Sequence, residues 1–213
     1  LVPGKGNKKV WFGQSGASAV EAAIKAARFH RYAKMMENGY EWLDGSKLYP
    51  YPYKIIARHR SWHGATTGAA SVSGDPRRWF SEPFTAPGVV FAPDAFPYRS
   101  MLGDHTNHDP DYLAQISADY LEKLIEMEGG SGHVAAVIIE TIVGSNGIIP
   151  PPPSYMKRIR EICDRWKLLL ICDETMTGMG RTGTFFSFEH YDIEPDIVVM
   201  GKALGAYAPL SAV

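Results

Sequence analysis

In this 213-residue chain an amine, two carboxylates, a turn of small residues and an aromatic ring all stand where apolar stretches end. Lys202 follows Asp196-Ile-Val-Val-Met-Gly201. An amine delivered by an apolar strand is desolvated, which lowers its pKa and makes a nucleophile, although a lysine that only snorkels to solvent is the plainer alternative. Glu140 closes the apolar run 134–140, and Asp173-Glu174 closes the run 168–172. Ligands of parallel α/β sheets gather beyond the carboxyl ends of the strands, so both acids would face one rim. A single acid there is as often a helix cap or half of an ion pair; two beside a lysine favour chemistry.

The segment Lys9-Val-Trp-Phe-Gly-Gln-Ser15-Gly16-Ala17-Ser18 reads as a strand, a small-residue turn and a helix start. The unpaired N–H groups and positive dipole end of such a helix can cradle a phosphate. The same letters nearly spell the nucleophile elbow G-x-S-x-G, and Asp173 and His190 follow in hydrolase order, so a serine hydrolase acting through Ser15 is a rival reading. Trp62-His63-Gly64 comes just after the run 54–59 and offers a flat ring for stacking, although a lone core tryptophan is commoner. His105 and His108 have tolerable metal spacing but no third ligand nearby, so they read as solvated and no metal is expected. An amine nucleophile, paired carboxylates and an anion cup together suggest Schiff-base chemistry on a phosphorylated aldehyde cofactor.

Short apolar runs alternate with amphipathic stretches to position these groups. Strands are expected at 9–12, 54–59, 89–92, 134–140, 168–172 and 196–200, with helices at 17–37, 65–72, 112–127 and 154–166. Continuously apolar strands fit a mostly parallel sheet with helices on both faces, a three-layer α/β/α class. The stretches 38–52 and 80–108 read as loops, apart from the strand at 89–92, and Pro150 to Pro153 as a stiff connector.

Composition narrows the function classes. With 22 Lys+Arg against 23 Asp+Glu, a formal net charge of −1 gives no pull toward nucleic acid or anionic membrane. The longest apolar stretch is too short to span a bilayer. Two cysteines, Cys163 and Cys172, sit in apolar settings as buried thiols, which suggests a reducing compartment and a cytoplasmic protein. The chain ends at Val213 in an apolar run, so residues 1–213 read as one domain that is incomplete.

The ordered set Asp173-Glu-Thr-Met-Thr-Gly-Met-Gly-Arg-Thr-Gly183, Pro195-Asp196, Gly201-Lys202 and Tyr207-Ala-Pro-Leu-Ser-Ala-Val213 resembles the class III aminotransferases, fold-type I pyridoxal-phosphate enzymes. Ser15-Gly16 with Glu21-Ala-Ala-Ile-Lys25, Trp62-His63-Gly64 and Glu140-Thr-Ile-Val-Gly-Ser-Asn-Gly147 support it. The resemblance implies that Lys202 holds pyridoxal 5'-phosphate as a Schiff base and later shuttles a proton, while Asp173 pairs with the ring nitrogen. It also implies that Ser15, Gly16 and Ala17 bind the phosphate, that Trp62, beside His63, stacks on one ring face with Thr175 on the other, and that Glu140 supports the site from behind. The implied reaction moves an amino group from an amine or ω-amino acid donor to a keto acid acceptor such as pyruvate, in a homodimer or higher homo-oligomer.

This sequence departs from the family pattern at several points. Ala17 replaces a hydroxyl residue, Ser18 an acid and Thr175 a valine, so one phosphate hydrogen bond is lost or supplied by Ser18. The stretch between Lys202 and Tyr207 is one residue short. Family members also carry a small C-terminal domain, so this chain resembles the cofactor-binding large domain. An aminomutase or decarboxylase of the same family would use the same residues, and a remnant without cofactor would use none.

Overall fold

The computed structural model describes residues 8–37, 51–102 and 109–213. Its strands are β1 Phe12–Gly13, β2 Lys54–Arg58, β3 Val89–Ala92, β4 Val134–Glu140, β5 Leu169–Asp173, β6 Ile197–Val199 and β7 Ser211–Ala212. The helices are α1 Gly16–Glu37, α2 Thr67–Ser71, α3 Pro110–Met127 and α4 Pro153–Arg165. Strands β3-β2-β4-β5-β6, in that order, make one parallel sheet.

Strand alternation sends successive side chains to opposite faces, and each face is covered by its own helices. Ile55, Ala57, Ala136, Ile138, Ile171 and Val199 pack with Ala19, Val20, Ala23, Ile24 and Ala27 of α1. Ile56, Val137, Ile139, Leu170, Cys172 and Val198 pack on the other face with Leu121 and Ile125 of α3 and Tyr155, Met156 and Ile159 of α4. The expected three-layer α/β/α arrangement is the one observed.

The same alternation fixes the acids. Glu140 shares a face with Ala136 and Ile138, and Asp173 with Ile171, so both carboxylates leave the sheet on the α1 side. Glu140 and Asp173 are also register partners at the ends of β4 and β5. The first turn of α1 therefore begins beside two neighbouring carboxylates.

Several expectations need correction. Residues 9–12 do not join the parallel sheet: Phe12–Gly13 pairs antiparallel with β7, a strand absent from the sequence reading. The stretch expected as loop from residue 80 carries part of a 3-10 segment, Pro76–Phe84, and a second lies at Pro97–Arg99. Helix α3 starts at Pro110 because the Asp109 side chain accepts from the Asp111 N–H, capping the first turn. His105, His108 and the loop at 38–50 lie outside the described residues.

Candidate active site

The start of α1 closes on itself. Ser15 Oγ accepts from the Ser18 N–H at 3.1 Å, while Ser18 Oγ accepts from the Ser15 N–H at 3.1 Å and donates to the Ser15 carbonyl at 2.8 Å. This reciprocal cap occupies both hydroxyls and leaves the amides of Gly16 and Ala17 as the donors of the first turn that point out of the helix. Gly16 permits a close approach: a Cβ there would lie 2.7 Å from Thr175 Cγ2. A Cβ on Gly201 would meet the same methyl at 3.0 Å, so three segments converge where a side chain would block them.

A cavity of about 190 Å³ opens at this point. Its lining includes Gly16, Ala17, Trp62, His63, Glu140, Asp173, Thr175 and Lys202, together with Gly64, Ser145 and Met176. Of the residues that the family resemblance assigns to the cofactor, all are in this lining except Ser15, whose exposed hydroxyl is engaged in the cap. The Ser18 hydroxyl is engaged in the same cap.

Asp173 is buried, with 5% of its surface exposed. Its Oδ1 accepts from the Thr175 N–H at 3.0 Å, and its Oδ2 lies 2.8 Å from His63 Nδ1. An ionised carboxylate only accepts, so this pairing puts the imidazole proton on Nδ1. Among the described residues His63 Nε2 has no partner, and Thr175 Oγ1 is likewise buried and unpartnered. Two orphaned polar atoms and two free amides around one cavity fit an occupant that carries acceptors and donors of its own.

Glu140, beside Asp173 on the neighbouring strand, organises the segments around it. Its Oε1 accepts from the Trp62 N–H at 2.8 Å and its Oε2 from the Gly144 N–H at 3.0 Å, while its carbonyl accepts from the buried Arg58 guanidinium. Burial pushes the Glu140 carboxyl above the usual carboxylate range; His63 and the two N–H donors oppose that shift, and Asp173 adds to it.

Lys202 departs from expectation in one respect. It is exposed rather than desolvated by the strand, because β6 ends at Val199 and Gly201 leads the chain into a short 3-10 turn at Lys202–Leu204. It still lines the cavity with Asp173, and its backbone is left-handed, with φ of 42°. Such a conformation costs a non-glycine residue about 1–3 kcal/mol and is characteristic of functional sites.

The serine hydrolase constellation is not assembled. Asp173 pairs with His63, while exposed His190 lies with its Nε2 3.0 Å from the Thr182 carbonyl and 3.1 Å from Thr184 Oγ1. Among the described residues no group of three or more His, Cys, Asp or Glu side chains is arranged to hold a metal.

Two groups escaped the sequence reading. Glu174, 1% exposed, accepts from Thr141 Oγ1 at 2.9 Å, Ser187 Oγ at 2.7 Å, the Phe188 N–H at 3.0 Å, the Ser187 N–H at 3.1 Å and the Thr177 hydroxyl. It ties the loop after β5 to the turn Ser187–Tyr191 and so fixes Asp173 and Thr175. Arg77 lies with its guanidinium carbon 4.2 Å from the Trp62 ring centroid. Glu174 stands inside a motif quoted above, but its bonds to Thr141, Ser187 and Phe188, like the stacking of Arg77 on Trp62, join residues distant in sequence.

Comparison with known proteins agrees with this geometry. The family model for aminotransferase class-III matches residues 1–213. An uncharacterized aminotransferase of Bacillus subtilis is 38% identical over 208 residues, covering 97% of this chain and 41% of the relative. A taurine–pyruvate aminotransferase of Bilophila wadsworthia is 37% identical over 207 residues, with the same coverage of 97% and 41%. The omega transaminase of Pseudomonas jessenii in complex with PMP superposes with a TM-score of 0.84 at 30% identity, over 96% of this chain and 42% of that one. The chain therefore spans about two fifths of the length of the relatives it matches. A parallel sheet that sets two carboxylates and a lysine around the open end of a helix, and a family match along the whole sequence, make this chain a member of the class III aminotransferases.

Proposed function

We propose that this chain is the cofactor-binding part of a transaminase that moves an amino group from an amine or ω-amino acid to a keto acid such as pyruvate. The carrying observation is the convergence of Lys202, Asp173 and the Gly16 and Ala17 amides on one cavity. Pyridoxal 5'-phosphate, when bound, supplies an aldehyde that exchanges between amines and a pyridine ring that accepts electrons from the donor carbon. The unpartnered His63 Nε2 and Thr175 Oγ1 and the close backbone approach at Gly16 fit such a group.

Each residue then has a task that follows from its surroundings. Lys202 Nζ is the amine that would hold the cofactor and is placed to move a proton at the donor carbon. Asp173 keeps a proton on the ring nitrogen; its hydrogen bonds from Thr175 N–H and His63 fix the carboxylate and leave lone pairs free. Gly16 and Ala17 N–H groups receive the phosphate at the positive end of α1. Trp62 and Thr175 line the cavity and would pack against the ring, and Glu140 holds the Trp62 backbone in place.

The same reading includes a homo-oligomer in the cytoplasm. The cavity, about 190 Å³, is smaller than the ~300–1,000 Å³ of complete ligand pockets, which supports a wall supplied by further polypeptide. Trp79, Phe80 and Phe84 are 62%, 93% and 74% exposed on one 3-10 segment, an apolar patch suited to a second copy. Cys163 and Cys172 are buried and unpaired, and burial pushes the Cys163 thiol up to about 12, as suits thiols kept reduced. Among the described residues no helix is long and apolar enough to cross a membrane.

Alanine formation from pyruvate with taurine, β-alanine and a simple primary amine as donors tests the activity. Alanine formed with at least one donor, and abolished in Lys202→Ala, is the expected result. No transfer from any amine by the pyridoxal-phosphate-loaded protein would contradict it.

A further inference from the structure

Trp62 is held at its backbone by Glu140, which lines the cavity, and at its indole by a group outside the lining. Trp62 and Glu140 line the cavity, and the Trp62 N–H is pinned to Glu140 Oε1 at 2.8 Å. Arg77 is outside the lining, and its guanidinium carbon lies 4.2 Å from the indole centroid, over one face of the ring. The guanidinium cannot swing freely. Its Nε donates to Asp75 Oδ1 at 2.8 Å and its Nη2 to Asp75 Oδ2 at 2.8 Å, a two-pronged pair, and the Arg77 N–H donates to the same Oδ1 at 2.7 Å.

Asp75 is itself locked. Its side chain is 4% exposed, and its Oδ2 also accepts from Asn146 Nδ2 at 2.6 Å. Asn146 Nδ2 reaches the Arg60 carbonyl at 2.5 Å as well, so the anchor joins the segment after β4 to the end of β2. Arg77, its amide and Asn146 hold the Asp75 carboxyl down to about 2, and the pair stays ionised through the neutral range.

We propose that Arg77 is a positioning residue: it fixes the Trp62 indole by stacking on its outer face, so that the inner face is already flat against the cavity when a planar aromatic ligand arrives. The stack rests on attraction between the guanidinium and the indole quadrupole. Its benefit is pre-organisation, because an unsupported tryptophan must be immobilised at the moment of binding. The claim that the ligand is pyridoxal phosphate rests on the function proposed above; the clamp itself does not.

A double-mutant cycle on pyridoxal phosphate affinity tests it, with the dissociation constant read from absorbance and tryptophan quenching. Arg77→Met is expected to weaken binding about three- to tenfold, and Arg77→Lys, which keeps a cation, by less. In a Trp62→Ala background Arg77→Met should cause no further loss, whereas a purely structural role would lower affinity equally in both backgrounds. Unchanged affinity in Arg77→Met, or equal losses in the two backgrounds, would overturn the proposal. Where thermal unfolding shows Arg77→Met to be destabilised, the cycle is run with Arg77→Lys and decided by the same two outcomes.

Near-UV circular dichroism of the ligand-free protein separates the clamp from the cofactor assignment. Loss of the Trp62 signal in Arg77→Met supports the clamp, and an unchanged spectrum overturns it. A wild-type protein that takes up no pyridoxal phosphate would contradict the proposed function instead.

Discussion

The role proposed for Asp173 is electrostatic. The carboxylate is buried, fixed by Thr175 and His63, and aimed into the cavity, so the isosteric Asp173→Asn change keeps the shape but removes the anion that holds a ring proton. The half-reaction rate with a donor amine is expected to fall about 100-fold or more, in line with other losses of a pre-organised electrostatic group. A stopped-flow rate within threefold of wild type would refute the role. Ala17 makes a complementary case, because the hydroxyls of Ser15 and Ser18 are consumed by the cap and the anion site is left with backbone donors. Ala17→Ser adds a donor beside a charged acceptor and is expected to tighten pyridoxal phosphate binding about tenfold, measured by equilibrium dialysis. The types of these residues were legible in the sequence. Their engagements were not: nothing local says that Ser18 turns back to Ser15, or that His63 rather than His190 meets Asp173.

The elements that carry the site differ in how they were written. Strands β2, β4 and β5 were legible because burial on both faces demands unbroken apolar runs, and α1 because its small apolar residues keep one side. Strand β7 escaped since two residues, Ser211–Ala212, leave no periodicity to read, and β1 was expected as a longer run at 9–12 because its antiparallel pairing with β7 was not legible. The segment Pro76–Phe84 escaped because its prolines and charges resemble a loop, although Asp75 caps it. The loop after β5 depends on Glu174, whose carboxylate satisfies five donors at once. Glu174→Ala strands those donors in a buried place and is expected to lower unfolding stability by about 3–5 kcal/mol, read from urea denaturation. A loss below about 1 kcal/mol would show that the loop holds itself.

At the scale of the whole molecule, the parallel order β3-β2-β4-β5-β6 explains why residues so distant in sequence share one cavity. Every strand of that sheet ends on the same edge, and alternation turns Glu140 and Asp173 toward α1, while the chain leaving β6 brings Lys202 to the same edge. The chain spans about two fifths of the length of the relatives it matches. The central claim is that Lys202 is the amine which engages an aldehyde cofactor. Incubation of the protein with pyridoxal 5'-phosphate, reduction with borohydride, and peptide mass spectrometry test it directly. One pyridoxyl group per chain on Lys202, lost in Lys202→Ala, is the expected result; a modification centred on Lys25 or any other lysine, with Lys202 unlabelled, would contradict the account.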